Sequence, residues 1–195
     1  MFARVAARQP ATTLGALIAD VGEHGAIVEP LDGLAEALDD HPDTIRNATV
    51  YILGMEEQPR TALGFLLPSV LGSPATVGSA KALKAVASTT NASQLVRLAE
   101  LLRHCESLVP SQPRVIETVL ECALEHGHPT YDKVRGLLLS SAVPAVDAGW
   151  GDSLPPKLAH LCAQAQKHAI RRGLSAATRD FYAAITTQDK PAAES

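Results

Sequence analysis

The chain predicts an all-α fold, a compact multi-helix bundle, and three observations carry that expectation. Prolines stand ahead of successive apolar stretches: Pro30, Pro42, Pro59, Pro74, Pro113, Pro129 and the pair Pro155-Pro156. Proline suits the first helical turn, where its missing N–H would have had no partner in any case, and it damages a helix interior. Its recurrence marks the starts of short helices. Composition is the second observation: aromatic residues are only 4% of the 195, so a core must come from Leu, Val, Ile and Ala. Ala and Leu favour helix, and the strand-favouring aromatics are scarce. Third, apolar residues recur three and four apart, and strand-type alternation persists nowhere.

The elements follow in order. Leu14, Leu17, Ile18 and Val21 share one helical stripe, which Gly22 or Gly25 can close. Pro30 opens a second helix with Leu31, Leu34, Ala35 and Leu38 inward, ended by Asp39-Asp40-His41. Pro42 and Asp43 open a third, on which Ile45, Thr49, Ile52 and Leu53 align. A fourth, very apolar, is expected over 59–67. Pro68 breaks the apolar run that continues to Gly72, and 72–78 reads as a loop leading into a helix at Pro74 that carries Lys81, Leu83, Val86 and Ala87.

Ser88-Thr89-Thr90-Asn91 is a polar connector with an N-cap at Asn91 or Ser93. The clearest helix comes next: Leu95, Leu98, Ala99, Leu102 and Cys105 form its buried stripe, with Arg97, Glu100 and Arg103 outward. Pro110-Ser111-Gln112-Pro113 is a stop and a cap, after which Val115, Val119, Cys122 and Ala123 repeat at helical spacing as far as Gly127. Pro129 opens a helix over 131–141 with Val134, Leu137 and Leu138 inward. Residues 143–153, rich in Gly, Pro and Asp, form the longest loop and the best hinge. Helices over 157–172 and 176–186 close the series, the latter behind an N-cap at Ser175. About nine to eleven helices result, with no internal repeat. The expected organisation is an N-terminal helical sub-bundle over 1–88, a C-terminal one over 89–188, and a polar, disordered tail over 189–195.

Charge is unevenly laid out. The net charge is −4, but residues 20–57 hold ten acids against one base, Arg46, a net −9. Residues 58–188 hold thirteen bases against nine acids, a net +4. An acidic lobe joined to a basic remainder makes an electrostatic dipole. Opposite patches on neighbouring copies can then meet head to tail and form open arrays. No segment reaches the roughly 18 apolar residues of a membrane span. Residues 1–8 do not read as a secretory signal, and three scattered cysteines, Cys105, Cys122 and Cys162, do not make a disulfide framework. A reducing, intracellular setting is the expectation.

Catalytic and ligand patterns are weak. The stretch from Gly72 to Lys81 imitates a phosphate loop, but its glycines are one residue too far apart, no strand precedes it, and the lysine does not follow the second glycine. Cys122, His126 and His128 have metal-ligand spacing, as do His160, Cys162 and His168 more loosely. Helical cysteines on an apolar stripe are usually small core residues, so no metal site is assigned. No nucleophile elbow, zincin helix or dinucleotide fingerprint occurs. An enzyme, a cofactor and a small-molecule substrate are therefore not expected.

The run of elements from residue 34 to residue 84 resembles the matrix proteins of influenza-type viruses, the orthomyxoviruses. The counterparts are residues 34–40 as an acidic helix end and 45–53 as a short amphipathic helix. Leu63-Gly64-Phe65 with Leu66 and Leu67 follows, then the Gly72-Ser73-Pro74 loop and a basic helix at Lys81 and Lys84. Residues 91–103, with Arg97 and Arg103, look like that family's basic amphipathic helix, and His160-Leu161-Cys162 with His168 like its Cys/His stretch. The family's arginine cluster after the loop is missing, and this chain is acidic where influenza matrix proteins are basic.

The resemblance implies a non-enzymatic structural protein that self-associates into a layer beneath a viral envelope, on the inner leaflet of an anionic plasma membrane. It extends to nucleoprotein or RNA contact, and to the virion, host cytoplasm and nucleus as locations. The residues expected to meet membrane or nucleoprotein are Lys81, Lys84, Arg97, Arg103, Lys167, Arg171 and Arg172. Asp39, Asp40 and Asp43 are expected on the acidic side of the interface between copies. The alternative is a helical regulatory or nucleic-acid-associated module, since residues 121–139, with Gly127 and Tyr131, are similar to helices in the tail of certain insertion-sequence transposases.

Overall fold

Apolar residues spaced three and four apart become one continuous buried surface in the computed structural model of the chain. It describes residues 8–24, 31–64, 66–72, 75–105, 108–142, 163–167, 170–171 and 173–187, and every regular element among them is helical. In chain order these are α1 (Pro10–His24), α2 (Leu34–Leu38), α3 (Pro42–Leu53), α4 (Glu57–Gly64), α5 (Leu67–Leu71) and α6 (Val77–Ala87). Then come α7 (Ala92–Leu102), α8 (Leu108–Ser111), α9 (Pro113–Glu125), α10 (His128–Ala142) and α11 (Ala176–Thr187). Residues 163–167 form a further helical turn. The all-α bundle is as the sequence predicts. The hinge expected at 143–153, the front of the 157–172 helix and the tail after 188 lie outside the described residues.

The start and stop chemistry explains most boundaries. Pro42, Pro113 and Pro129 sit in the first turns of α3, α9 and α10, where a missing N–H costs nothing. Asn91 N-caps α7 with a full capping box: its side chain accepts from the Gln94 N–H at 3.0 Å, and the Gln94 side chain accepts from the Asn91 N–H at 3.2 Å. Ser175 caps α11 through its hydroxyl, which accepts from the Thr178 N–H. Gly127 turns the chain between α9 and α10 at φ 103°, a conformation that penalises residues with a Cβ.

Three expectations are corrected in detail. The single helix expected over 59–67 is two, α4 and α5, because Pro68 cannot donate to the Gly64 carbonyl and its ring would collide there. Pro68 instead takes the first turn of α5. The second helix starts at Leu34, not Pro30, since Gly33 ahead of it is left-handed at φ 74°. Pro110 lies inside the short turn α8 rather than ending a helix.

Packing runs in layers. α1 lies on α3 and α4, and α2 on α5, α3 and α6. α3 packs along α6, α4 meets α7, α6 packs on α9, and α7 packs along α10. α11 docks on α9 and α10. The order is thus α1 and α2 at one flank, α6 and α7 in the middle, α9 and α10 beyond them, and α11 at the far side. The polar connector at 88–91 is a tight turn between α6 and α7, and the core continues across it.

Polar tethers between distant segments hold these layers in register. The Gly78 N–H donates to Asp39 Oδ1 at 2.6 Å, which satisfies a free donor in the first turn of α6. The approach is so close that a Cβ on Gly78 would lie 1.9 Å from the Asp39 carbonyl oxygen, so only glycine fits there. Arg97 Nη1 donates to the Leu53 carbonyl at 2.9 Å, at the carbonyl-rich end of α3. Gln112 Nε2 donates to the Ala75 carbonyl at 3.0 Å.

Candidate interaction surfaces

The acidic N-terminal segment keeps its charge on the outside. Asp20, Glu23, Asp32, Glu36, Asp40, Asp43, Glu56 and Glu57 are exposed. Among the described residues Asp43 is paired with Arg46 at 3.5 Å, and Asp20 Oδ1 lies 3.2 Å from His24 Nδ1. Both pairs are solvent-exposed and therefore weak. These acids belong to α1 and to the α2–α4 region, which pack on one another, so the negative charge is gathered at one flank. Asp39 differs from its two neighbours. It is half-buried against Gly78 and serves the fold, which leaves Asp40 and Asp43 as the exposed acids of the expected interface trio, Asp43 beside Arg46.

The cations expected to gather are divided among several tasks. Lys81 is exposed and Lys84 half-buried, both on α6. On α7, Arg97 is committed to the end of α3, whereas Arg103 is exposed. Lys167 and Arg171 are exposed and precede α11 in the chain, while Arg172 lies outside the described residues. Lys133 on α10 and Arg179 on α11 are exposed cations as well. Glu121, Glu125, Asp132 and Asp180 are exposed on α9, α10 and α11, so the cations of the far flank stand among acids, and the middle layer contributes Lys81 and Arg103.

A polar cleft of about 300 Å³ opens between α4, α7 and α10, lined by Glu57, Arg60, Glu100, Arg103, His104 and Leu137. Arg60 is buried in its wall: Nη1 donates to the Met55 carbonyl at 3.0 Å, and Nη2 lies 3.7 Å from Glu100. The sequence carries no local sign of this pair, because its partners are forty positions apart. Burial, and then the neighbouring Arg103 charge, hold the His104 imidazole below its ordinary pKa. Two guanidinium groups face two carboxylates, so the cleft has no net charge with which to select an anion. It reads as a packing joint between helices.

The thiols and histidines do not converge. Among the described residues no three His, Cys, Asp or Glu side chains are grouped as metal ligands. His126 Nε2 lies 3.1 Å from the Thr90 carbonyl, and burial pushes the Cys105 thiol up to about 12. His160, Cys162 and His168 lie outside the described residues. No described helix is long and apolar enough to cross a membrane.

A shallow groove of about 240 Å³ lies on the acidic flank between α2 and α5, with Leu31, Ala35 and Pro68 as its apolar part and Asp32 and Glu36 among its lining. Exposed apolar side chains stand at Tyr51, Val77 and Ile170. Tyr51 could have been found from sequence, since it lies opposite the Ile45–Thr49–Ile52 stripe of α3. Compared with protein-family models, with curated proteins and with solved structures, the chain matches none of them.

Proposed function

We propose that this chain is a non-enzymatic structural protein whose copies associate through flanks of opposite charge. The observation that carries the reading is the unequal layout of charge: exposed, mostly unpaired acids on α1–α4, against a far side where the exposed cations Lys133, Lys167, Arg171 and Arg179 stand among the acids Glu121, Glu125, Asp132 and Asp180. Such a block joins head to tail, and because the two patches differ, growth stays open rather than closing as a symmetric dimer. In the matrix-type reading implied by the orthomyxovirus resemblance, the copies form a layer under a viral envelope. Lys81, Arg103, Lys167 and Arg171 then face anionic lipid or nucleoprotein, each contributing about 1 kcal/mol near a negative leaflet.

Sedimentation of the purified protein across salt concentrations tests self-association. Large species at low salt that dissociate towards monomer as ionic strength rises are expected, because exposed charges are screened beyond about 10 Å at 0.1 M salt. A monomer at every salt concentration would refute the reading. Flotation with vesicles tests the lipid contact separately: recovery should depend on anionic lipid, and equal recovery with neutral vesicles removes the membrane from the proposal.

A further inference from the structure

We infer that the groove between α2 and α5 is a docking site for a basic segment of a partner protein, one that carries an aliphatic side chain among its lysines or arginines. This goes beyond the self-association reading and does not depend on it. Two turns of the backbone make the groove. Leu31 to Leu34 form the first, closed by the Leu34 N–H on the Leu31 carbonyl at 3.2 Å, with Gly33 left-handed at φ 74°. The second is the exit from α5, where Gly72 stands at φ 88°. Both glycines line the groove, and neither has a side chain to fill it. Leu31, Ala35 and Pro68 line its apolar part, and Leu34, Leu38, Leu67 and Leu71 of the same two helices are buried in the core. The Leu31 N–H lies 3.4 Å from Ser69 Oγ, which ties the segment before α2 to α5.

Charge decides the partner. Asp32 and Glu36 are the charged residues of the lining, both exposed and neither in an ion pair with another described residue. They lie in the acid-rich stretch 20–57, whose one base is Arg46. A nucleic acid or an anionic lipid is repelled there, and a cationic segment is drawn in. Size narrows the choice further. At about 240 Å³ the groove falls below the roughly 300 Å³ at which small-molecule pockets begin. It takes one side chain and its neighbours rather than a metabolite. An aliphatic side chain fills the apolar part while adjoining lysines or arginines pair with the two carboxylates, an anchor inside a charged rim.

Fluorescence anisotropy of the full chain with a short labelled peptide, one leucine flanked on each side by lysine and arginine, tests the site. Asp32→Lys/Glu36→Lys should weaken binding by on the order of a hundredfold, because cations then face cations. Replacing the leucine of the peptide by serine should weaken it about tenfold through lost apolar burial. Glu125→Lys/Asp180→Lys, on α9 and α11, changes the net charge equally and should leave the affinity within about threefold of wild type, since distant charges are screened. A peptide with glutamate in place of its cations should bind the Asp32→Lys/Glu36→Lys variant instead, which ties the loss to local pairing. Circular dichroism on each variant establishes that the helices are retained. Equal weakening by both pairs of substitutions, or no effect of removing the leucine, overturns the inference in favour of diffuse charge attraction. A wild type that binds no peptide overturns it too, and if Asp32→Lys/Glu36→Lys then abolishes self-association, the groove belongs to a second copy. A wild type that is monomeric at every salt concentration yet binds the peptide through the groove upholds this inference and refutes self-association.

Discussion

His104 illustrates how one residue can serve packing and pH response together. Its ring lies edge-on against α4, where a Cβ on Gly64 would come within 2.7 Å of Cδ2, and Arg103 stands beside it. Burial first, and the neighbouring cation second, lower its pKa below the unfolded value near 6.5. A histidine depressed in this way binds its proton more readily in the unfolded chain. Its contribution to stability is therefore complete above pH 6.5 and is lost as pH falls from there through the folded pKa. Urea unfolding from pH 7.5 to pH 5 should show the midpoint falling on acidification. His104→Gln should flatten that fall relative to the wild type. Equal slopes for the two proteins would show that the imidazole does not titrate differently on folding. The same scale explains why the candidate residues were only partly legible in sequence. Arg97 and Asp39 look like free surface charges when read locally. Their partners, Leu53 and Gly78, lie 44 and 39 residues away, and no spacing rule connects them.

At the scale of elements, helical stripes were legible because burial repeats locally: Leu14, Leu17, Ile18 and Val21 on α1 and Leu95, Leu98, Ala99 and Leu102 on α7 are all buried. Boundaries were less legible where a proline could either end or begin a helix, as Pro68 and Pro110 show. The docking of α11 had no sequence signal at all. Its N-terminus is held by Glu117, a buried carboxylate of α9 whose Oε1 accepts from the Ser175 N–H at 2.8 Å while Oε2 accepts from Arg114 Nη1 at 2.7 Å. Further along, the Tyr182 hydroxyl donates to the Val109 carbonyl, and Phe181 meets Tyr182 edge to face at 5.3 Å. Glu117→Ala should leave the Ser175 donor without its acceptor and Arg114 without its carboxylate. The expected cost is about 1–3 kcal/mol of unfolding free energy, measured by denaturant titration. Amide exchange should accelerate first at the start of α11. Uniform acceleration over all helices would mean that Glu117 stabilises the bundle as a whole rather than this docking point.

For the whole molecule, the question is whether the two halves suggested by the polar connector at 88–91 behave as separate units. Helix–helix contact crosses that point repeatedly: α6, Val77–Ala87, packs on α9, Pro113–Glu125, while α3, Pro42–Leu53, and α4 both meet α7. Leu53, Leu83, Leu98, Val115 and Leu120 are fully buried members of one apolar cluster. Cutting the chain at 88 would expose the faces of α3, α4 and α6 that now contact α7 and α9. At about 25 cal/mol per Å² of apolar surface, losing even a few fully buried leucines removes several kcal/mol. That is comparable to the whole stability of a domain this size. Calorimetry of the full chain should therefore give one transition whose calorimetric and van't Hoff enthalpies agree. Residues 1–88 produced alone should lack a cooperative transition. Two resolved transitions, or a stably folded 1–88 fragment, would show independent sub-bundles. Such independence would also weaken head-to-tail association, because an uneven layout of charge polarises the molecule only if the acidic flank and the rest of the bundle belong to one rigid body.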